Sequence, residues 1–358
     1  MRFLLLTVSM CLVSTSLVQG QAPNATNPLP NRSLTKLLET IRNPARSIDR
    51  VQAAEEIAGF GSHAVAPLIE ILATDDASVQ ASVLLALRRI GTEAYEAVPA
   101  VIAIAVDADN TLQNTASDVL GAIGRDSAEA VPALAALLPV RNEERRQIIL
   151  NSLLSIGDAA AHQALADAYQ HGDRAQQSSV LRALGQFPEA TTALMPILVD
   201  QYVQGSRRFE VHLLRLIDFS PEASIPYLIA SLESGPVDRR RRALMAMCQS
   251  QVASAGSEAV PLLTESLQDA DPVVRFWALK ALGAIGVPAR EASSRIIDCL
   301  RDSDADVRWQ AIGTVQQLGL VRQAVEPLKL LLDDPHPAVQ NAAEQAIRSP
   351  EYAHGKSS

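Results

Sequence analysis

Apolar side chains recur along this chain with the spacing of one face of an α-helix, and the helical segments themselves recur. Aligning the segments places Arg50, Gln80, Gln113, Arg146, Gln177, Phe209, Arg240, Arg275, Arg308 and Gln340 in one register, nine of the ten being Arg or Gln. Seven residues later stand Ile57, Leu87, Leu120, Leu153, Leu184, Leu216, Met247, Leu282, Val315 and Ile347. Three beyond those come Phe60, Ile90, Ile123, Ile156, Phe187, Phe219, Ser250, Ile285 and Leu318. Apolar positions at offsets 3, 4, 7 and 10 form a single stripe of a 3.6-residue helix. Each row therefore predicts a helix with one buried face. No segment alternates with period 2, so no strand is expected.

Proline and glycine punctuate the same repeat. Pro67, Pro99, Pro132, Pro196, Pro226, Pro261 and Pro327 are separated by single or double steps of about 32 to 33 residues. They predict a shorter first helix in each unit, for example over 65–73 or 260–268, with proline in its first turn. The longer helix usually ends at glycine, at Gly61, Gly91, Gly124, Gly157, Gly286 and Gly319, which suits a left-handed position just past a helix end. Acids such as Asp76, Asp109, Asp271 and Asp304 lie between the two helices, and Asp271-Pro272 reads as an N-cap followed by proline at the first helical position. Each unit is thus helix, tight turn, helix, tight turn. A single pair cannot bury its stripe alone, so neighbouring pairs must stack. The expected fold is all-α, an α–α superhelix: a right-handed solenoid of about ten hairpins, roughly 90 Å along its contour, over residues 33–350. Glu344, Gln345 and Arg348 give the last unit a polar outer face.

The composition fits. Hydrophobic residues make up 48% but aromatics only 4%, the balance of an Ala, Leu, Ile and Val core packed helix on helix. Net charge is −9; without the first twenty residues, which hold Arg2 and no acid, 30 basic residues face 40 acidic ones. That mean charge argues against a nucleic-acid partner. Residues 1–20 read as a signal peptide: Arg2 is a positive start, 3–17 is apolar and Val18-Gln19-Gly20 suits a signal peptidase. The apolar run is short for a membrane span, so cleavage is expected over anchoring, and the mature chain should be secreted or periplasmic, without a membrane span and monomeric. Residues 21–32 read as a flexible leader, with Asn24-Ala25-Thr26 and Asn31-Arg32-Ser33 matching the glycosylation sequon, and 351–358 as a disordered tail. Cys248 and Cys299 belong to different units and suggest neither a disulfide framework nor a zinc site.

The strings Asp271-Pro-Val-Val-Arg275-Phe-Trp-Ala-Leu-Lys-Ala-Leu-Gly283 and Asp304-Ala-Asp-Val-Arg308-Trp-Gln-Ala-Ile-Gly313 resemble HEAT repeats. The resemblance covers roughly 33–350, is most specific in the last three units, and looks closest to the short HEAT-like repeats of the phycobilin-lyase subunits. It implies that an Asp in the turn and the Arg opening the second helix form a ladder between repeats, with Asp271 and Arg275, and Asp304 and Arg308, in those roles. It also implies protein binding, since the fold alone sets no chemistry.

Two enzyme precedents share this architecture. Deoxyhypusine hydroxylases bind two irons through His-Glu pairs, but His63, His162, His171, His212, His336 and His354 are followed by Ala, Gln, Gly, Leu, Pro and Gly. A subunit of the HEAT-like lyase type stands as the alternative function, although an exported protein would not meet cytoplasmic bilin carriers; a pocket gathering polar side chains from several repeats would favour it. Asp302-Ser-Asp304-Ala-Asp306 imitates half a calcium loop, but Val307 and Gly313 stand where that loop needs glycine and a bidentate acid. No catalytic, cofactor-binding or metal-ligating set is therefore expected.

The expected function is a non-catalytic protein-interaction scaffold of the cell envelope or extracellular space. The residue after the ladder position is mostly polar or small, but becomes Phe276 and Trp309 in units eight and nine. Flanked by Arg275 and Arg308, these aromatics have the composition of an interface anchor, against the plainer reading of local packing. Full burial of both would rule the anchor out. Arg239, Arg240 and Arg241, running on to Arg242, with Arg207-Arg208 and Arg145-Arg146 near the same register, are either a solvated helix start plus an inter-repeat ladder or a basic strip on one edge for an acidic partner.

Overall fold

A computed structural model describes residues 33–107, 111–205 and 209–348. The predicted signal peptide, leader and tail, together with Asp109 and Arg207-Arg208, lie outside those residues. Among the described residues there is no strand, and the helices pair into ten units. Units one to four are Leu34–Arg42 with Ser47–Ala58, Val65–Leu72 with Ala77–Ile90, Val98–Val106 with Gln113–Ile123, and Val131–Leu137 with Glu143–Ile156. Units five to seven are Ala159–His171 with Arg174–Leu184, Pro188–Val203 with Glu210–Phe219, and Pro221–Ser234 with Val237–Met247. Unit eight opens with Ser250–Ala255 and Val260–Ser266 before Pro272–Ile285; units nine and ten are Ser293–Asp298 with Ala305–Gln317, and Val325–Leu330 with Pro337–Arg348. Each unit packs on the next, which makes the chain an α–α superhelix. No helix among the described residues is long and apolar enough to cross a membrane.

The apolar stripe becomes the core. Ile57, Leu87, Leu120, Leu153, Leu184, Leu216, Met247, Leu282 and Val315 are all buried, while Ile347 is only half-buried on the outer unit. Phe219 departs from the expectation: it is 55% exposed. Two prolines depart as well. Pro196 and Pro226 sit mid-helix rather than in a first turn, because their helices start earlier, at Pro188 and Pro221. In units five to seven the first helix reaches 13, 16 and 14 residues, against 8, 9 and 7 in units two to four. The short helices are each entered through a 3₁₀ turn, such as Gly61–Ala64 or Gly124–Ala130.

The six predicted glycines all have positive φ. Gly157 is left-handed helical (φ 60°, ψ 21°), whereas Gly91, Gly124 and Gly286 adopt φ 69–79° with ψ near −132° to −137°. That region is close to forbidden for any residue with a Cβ. It turns the chain straight into the following 3₁₀ segment instead of closing a left-handed cap.

The ladder exists, but its acid is not the one expected. Asp271 and Asp304 are N-caps, accepting from the amide of Val274 and from those of Asp306 and Val307. The rung is the acid two residues earlier, which is paired with the arginine of the preceding unit. Arg275 donates from Nε and Nη2 to both oxygens of Asp302 at 2.8 and 2.7 Å, and Arg308 does the same to Asp334 at 2.8 and 2.9 Å. Arg240 repeats the pattern on Asp269 at 2.9 and 3.1 Å. Each Nη1 turns back to its own unit, onto the carbonyls of Gly235, of Asp269 and Ala270, and of Asp302 and Ser303. Each rung acid in turn accepts the amide two residues on, at Asp271, Asp304 and His336. One guanidinium thereby ties two consecutive turns together.

In the first units the rung is neutral or local. Gln80 donates to Thr74 O at 2.7 Å, Gln113 to Asp107 O, and Arg50 to Ile41 O at 2.8 Å. Arg146 meets Glu143 of its own helix at 2.6 Å and Val140 O.

The ladder pairs predict a measurable acid sensitivity. The Arg308 hydrogen bonds hold Asp334 below the ordinary carboxylate range. For Asp302, burial pushes upward, but the Arg275 hydrogen bonds, the Asp304 amide and the nearby arginine charges together outweigh it and lower the value. A depressed folded-state value gives stability that is complete above the unfolded value near about 4 and is lost as pH falls through the folded one. Side chains of both pairs are 4–12% exposed. Asp302→Asn should therefore cost about 2–3 kcal/mol at pH 7, read as a lower urea midpoint and faster amide exchange over 305–317 and 337–348. The deficit should shrink as pH falls below about 4, where the unfolded chain takes up the proton first, and close once the folded rung is protonated as well. An unchanged midpoint at neutral pH would show the rung to be incidental.

Candidate interaction surface

One residue past a ladder arginine that is pinned inward on both sides, Trp309 of unit nine is 47% exposed. In unit eight Phe276 is half-buried against the core, with the Trp277 ring edge-on at 5.6 Å. Neither aromatic is buried, so the condition set against the anchor is not met. Trp277, half-buried with Lys280 Nζ 4.5 Å above its ring, completes a cluster that the alignment did not single out. Its register is held by Arg242 in unit seven and Gln310 in unit nine, so nothing in the row marked it as aromatic.

Between the first turns of these two helices lies a cleft of about 240 Å³. Pro272, Val273, Phe276 and Trp277 make its apolar wall, and Asp304 and Asp306 its acidic rim. Val273 is exposed at the lip. Such a slot accepts one apolar side chain and favours a cation beside it.

The four arginines 239–242 are consumed inside the chain. Arg239 pairs with Asp200 at 2.8 Å and Arg242 with Glu210 at 3.2 Å, both in unit six. Arg240 takes Asp269, and Arg241 takes both oxygens of Asp271, in unit eight. The run is a clamp across three units, and its charges are neutralised locally; it does not join Phe276 and Trp309 as a basic strip. The hydrogen bonds from Arg241 also hold Asp271 below the ordinary carboxylate range.

No group of three or more His, Cys, Asp or Glu side chains suited to a metal ion occurs among the described residues. Burial pushes the thiols of Cys248 and Cys299 up to about 12, so both are protonated at neutral pH and neither is a ready nucleophile or ligand.

The HEAT-repeat family model matches residues 65–153, 225–292 and 287–348. This chain belongs to the HEAT-repeat family. The match passes over 154–224, which holds units five and six, where the first helices lengthen and the ladder lapses. Among solved structures the HEAT chain is similar to the karyopherin Kap121p bound to the extreme C-terminus of the protein phosphatase Cdc14p, and to Kap121p bound to Nup53p. Each is 14% identical, with TM-score 0.50, covering 89% of this chain and 42% of that one. An engineered protein is 19% identical, with TM-score 0.37, covering 88% and 98%. The chain thus spans under half the length of Kap121p, and likeness at this identity speaks for the fold alone. No curated protein matches the sequence.

Trp277 and Trp309 are the only two tryptophans of the chain, so emission reports on this surface directly. Trp309→Phe should shift the spectrum to the blue and lower acrylamide quenching, because the more exposed indole is removed. Equal quenching in both proteins would place Trp309 against another surface.

Proposed function

We propose that the protein is an exported, non-catalytic scaffold of the cell envelope or extracellular space that grips a partner protein through the second helices of units eight and nine. The observation that carries this reading is Trp309, held nearly half exposed while Arg308 beneath it is fixed to Asp334 and to two carbonyls of its own turn. An exposed indole on an immobilised base is pre-organised for contact: little side-chain freedom is left to lose on binding. Phe276 and the neighbouring cleft supply a second apolar contact, with Arg275 as its support. Arg239, Arg240 and Arg241 frame the surface through their ion pairs and do not carry free charge to it. The apolar segment before Gln21 supports export.

The lyase-subunit alternative rests on repeat style, to which the family match adds nothing finer than HEAT repeats. One crevice, between units five and six, does gather polar side chains from two repeats. Its lining combines arginines, the neutral polar Ser178 and Gln186 and apolar side chains, without a carboxylate to work as an acid or base beside His212, which suits binding better than catalysis.

Affinity capture from the native compartment, with wild type and Trp309→Ala compared side by side, tests the scaffold. The variant should keep its thermal midpoint, since its side chain is largely outside the core, yet weaken partner binding by about 2 kcal/mol or more, some thirtyfold. Partners retained equally by both proteins would remove units eight and nine from the interface. N-terminal sequencing of the exported protein should begin at Gln21; a chain that keeps Met1 in the cytoplasm would end the export reading.

A further inference from the structure

We infer that the crevice between the second helices of units five and six, Arg174–Leu184 and Glu210–Phe219, binds an acidic, apolar peptide segment of a partner protein, which rests on the scaffold reading in taking its ligand to be part of a protein. Elsewhere second helices pack tightly. A Cβ on Gly121 in unit three would come within 2.9 Å of Ser152 Cα in unit four. Around unit six this closeness is lost, and its second helix touches the second helices on either side only lightly. The opening between units five and six encloses about 360 Å³.

Three observations give the crevice its chemistry. Its apolar floor is Leu181 and Leu216, both buried, with Phe219 standing beside them 55% exposed, although the apolar residues of its register in the other units are buried or half-buried. Its charged or titratable groups are Arg182, His212 and Arg215, beside the neutral Ser178 and Gln186, and no carboxylate is among the residues that line it, in a chain whose net charge is −9. Arg182 already shares Glu143 at 3.0 Å, whereas Arg215 has no ion-pair partner among the described residues. His212, Arg215 and Phe219 stand at i, i+3 and i+7, hence on one face of their helix.

A carboxylate between Arg215 and His212 would receive charge-assisted hydrogen bonds, bidentate from the guanidinium. An apolar side chain one to three residues along the same segment would cover Phe219 and the two leucines. The positive, apolar crevice selects against basic segments, the reverse of the acidic-rimmed cleft in units eight and nine. The two sites would therefore hold different parts of a partner.

Selection of a phage-displayed dodecapeptide library on the protein tests this. Enriched peptides should combine Asp or Glu with a nearby Leu, Phe or Trp. Their binding should weaken at least about tenfold on Arg215→Glu and on Phe219→Ser, and with rising salt. Arg215 and Phe219 are exposed, so both variants should keep the wild-type far-ultraviolet circular dichroism spectrum, and Trp309→Ala should leave these peptides bound. Failure of any peptide to enrich, or a pool held equally by Arg215→Glu, overturns the assignment. A pool lost only on Trp309→Ala overturns it too, while leaving the scaffold reading in place.

Discussion

The structure depends on one constraint: no hairpin of this chain can bury its own apolar stripe. Leu87 or Leu120, fully buried in place, would lie against water in an isolated unit. At about 25 cal/mol per Å² of apolar surface, a single pair of short helices falls well short of its ordering entropy. Stability therefore resides in the seams between units rather than within them. How each seam is made then decides what the surface above it can do.

The seams are of different kinds. Between units three and four, small residues let two backbones approach, and Ser152 Oγ reaches across to Ser117 O at 2.7 Å. From unit seven onward the seam is closed by a guanidinium that spans two turns, and each rung acid also fixes the amide two residues on. Because the arginine is committed inward, the next residue on the helix sits on a fixed turn. Trp309 placed there is 47% exposed, whereas Phe276 stays half-buried against the core. Unit six has neither device: Phe209 replaces the ladder residue, and its second helix touches the second helices on either side only lightly.

Much of this was legible in the sequence. The stripe, the ten units and the glycines with positive φ follow from period and spacing, because both express helix geometry directly. The ladder arginines were legible as a row, but their partner was misplaced by two residues. Asp-x-Asp offers two acids: the one adjacent to the helix caps its own amides, and the earlier one takes the ladder arginine of the preceding unit, although Asp271 also takes Arg241. Composition along one chain cannot separate those roles. Phe219 was placed in the core by its register and is exposed, because burial also needs a neighbour at packing distance. That distance depends on how neighbouring units stack, which a periodicity in the second helices does not encode. The basic run 239–242 looked like one feature and is four separate pairs, since consecutive helical residues point about 100° apart.

Net charge was the least informative number at the level of sites. A mean of −9 describes neither the acid-rimmed apolar cleft of units eight and nine nor the crevice beside Arg215. In a stacked array, a side chain sees its own unit and the two beside it, and more distant charges are screened within roughly 8–10 Å, about one unit spacing. Electrostatic character is therefore set seam by seam. A solenoid can carry surfaces of opposite sign a few units apart without one cancelling the other. Where the seam is tight, recognition must come from what projects above it; where the seam opens, the lining itself becomes available. The same repeat thus produces a rigid aromatic surface near one end and an open cationic crevice near the middle, with no change of fold between them.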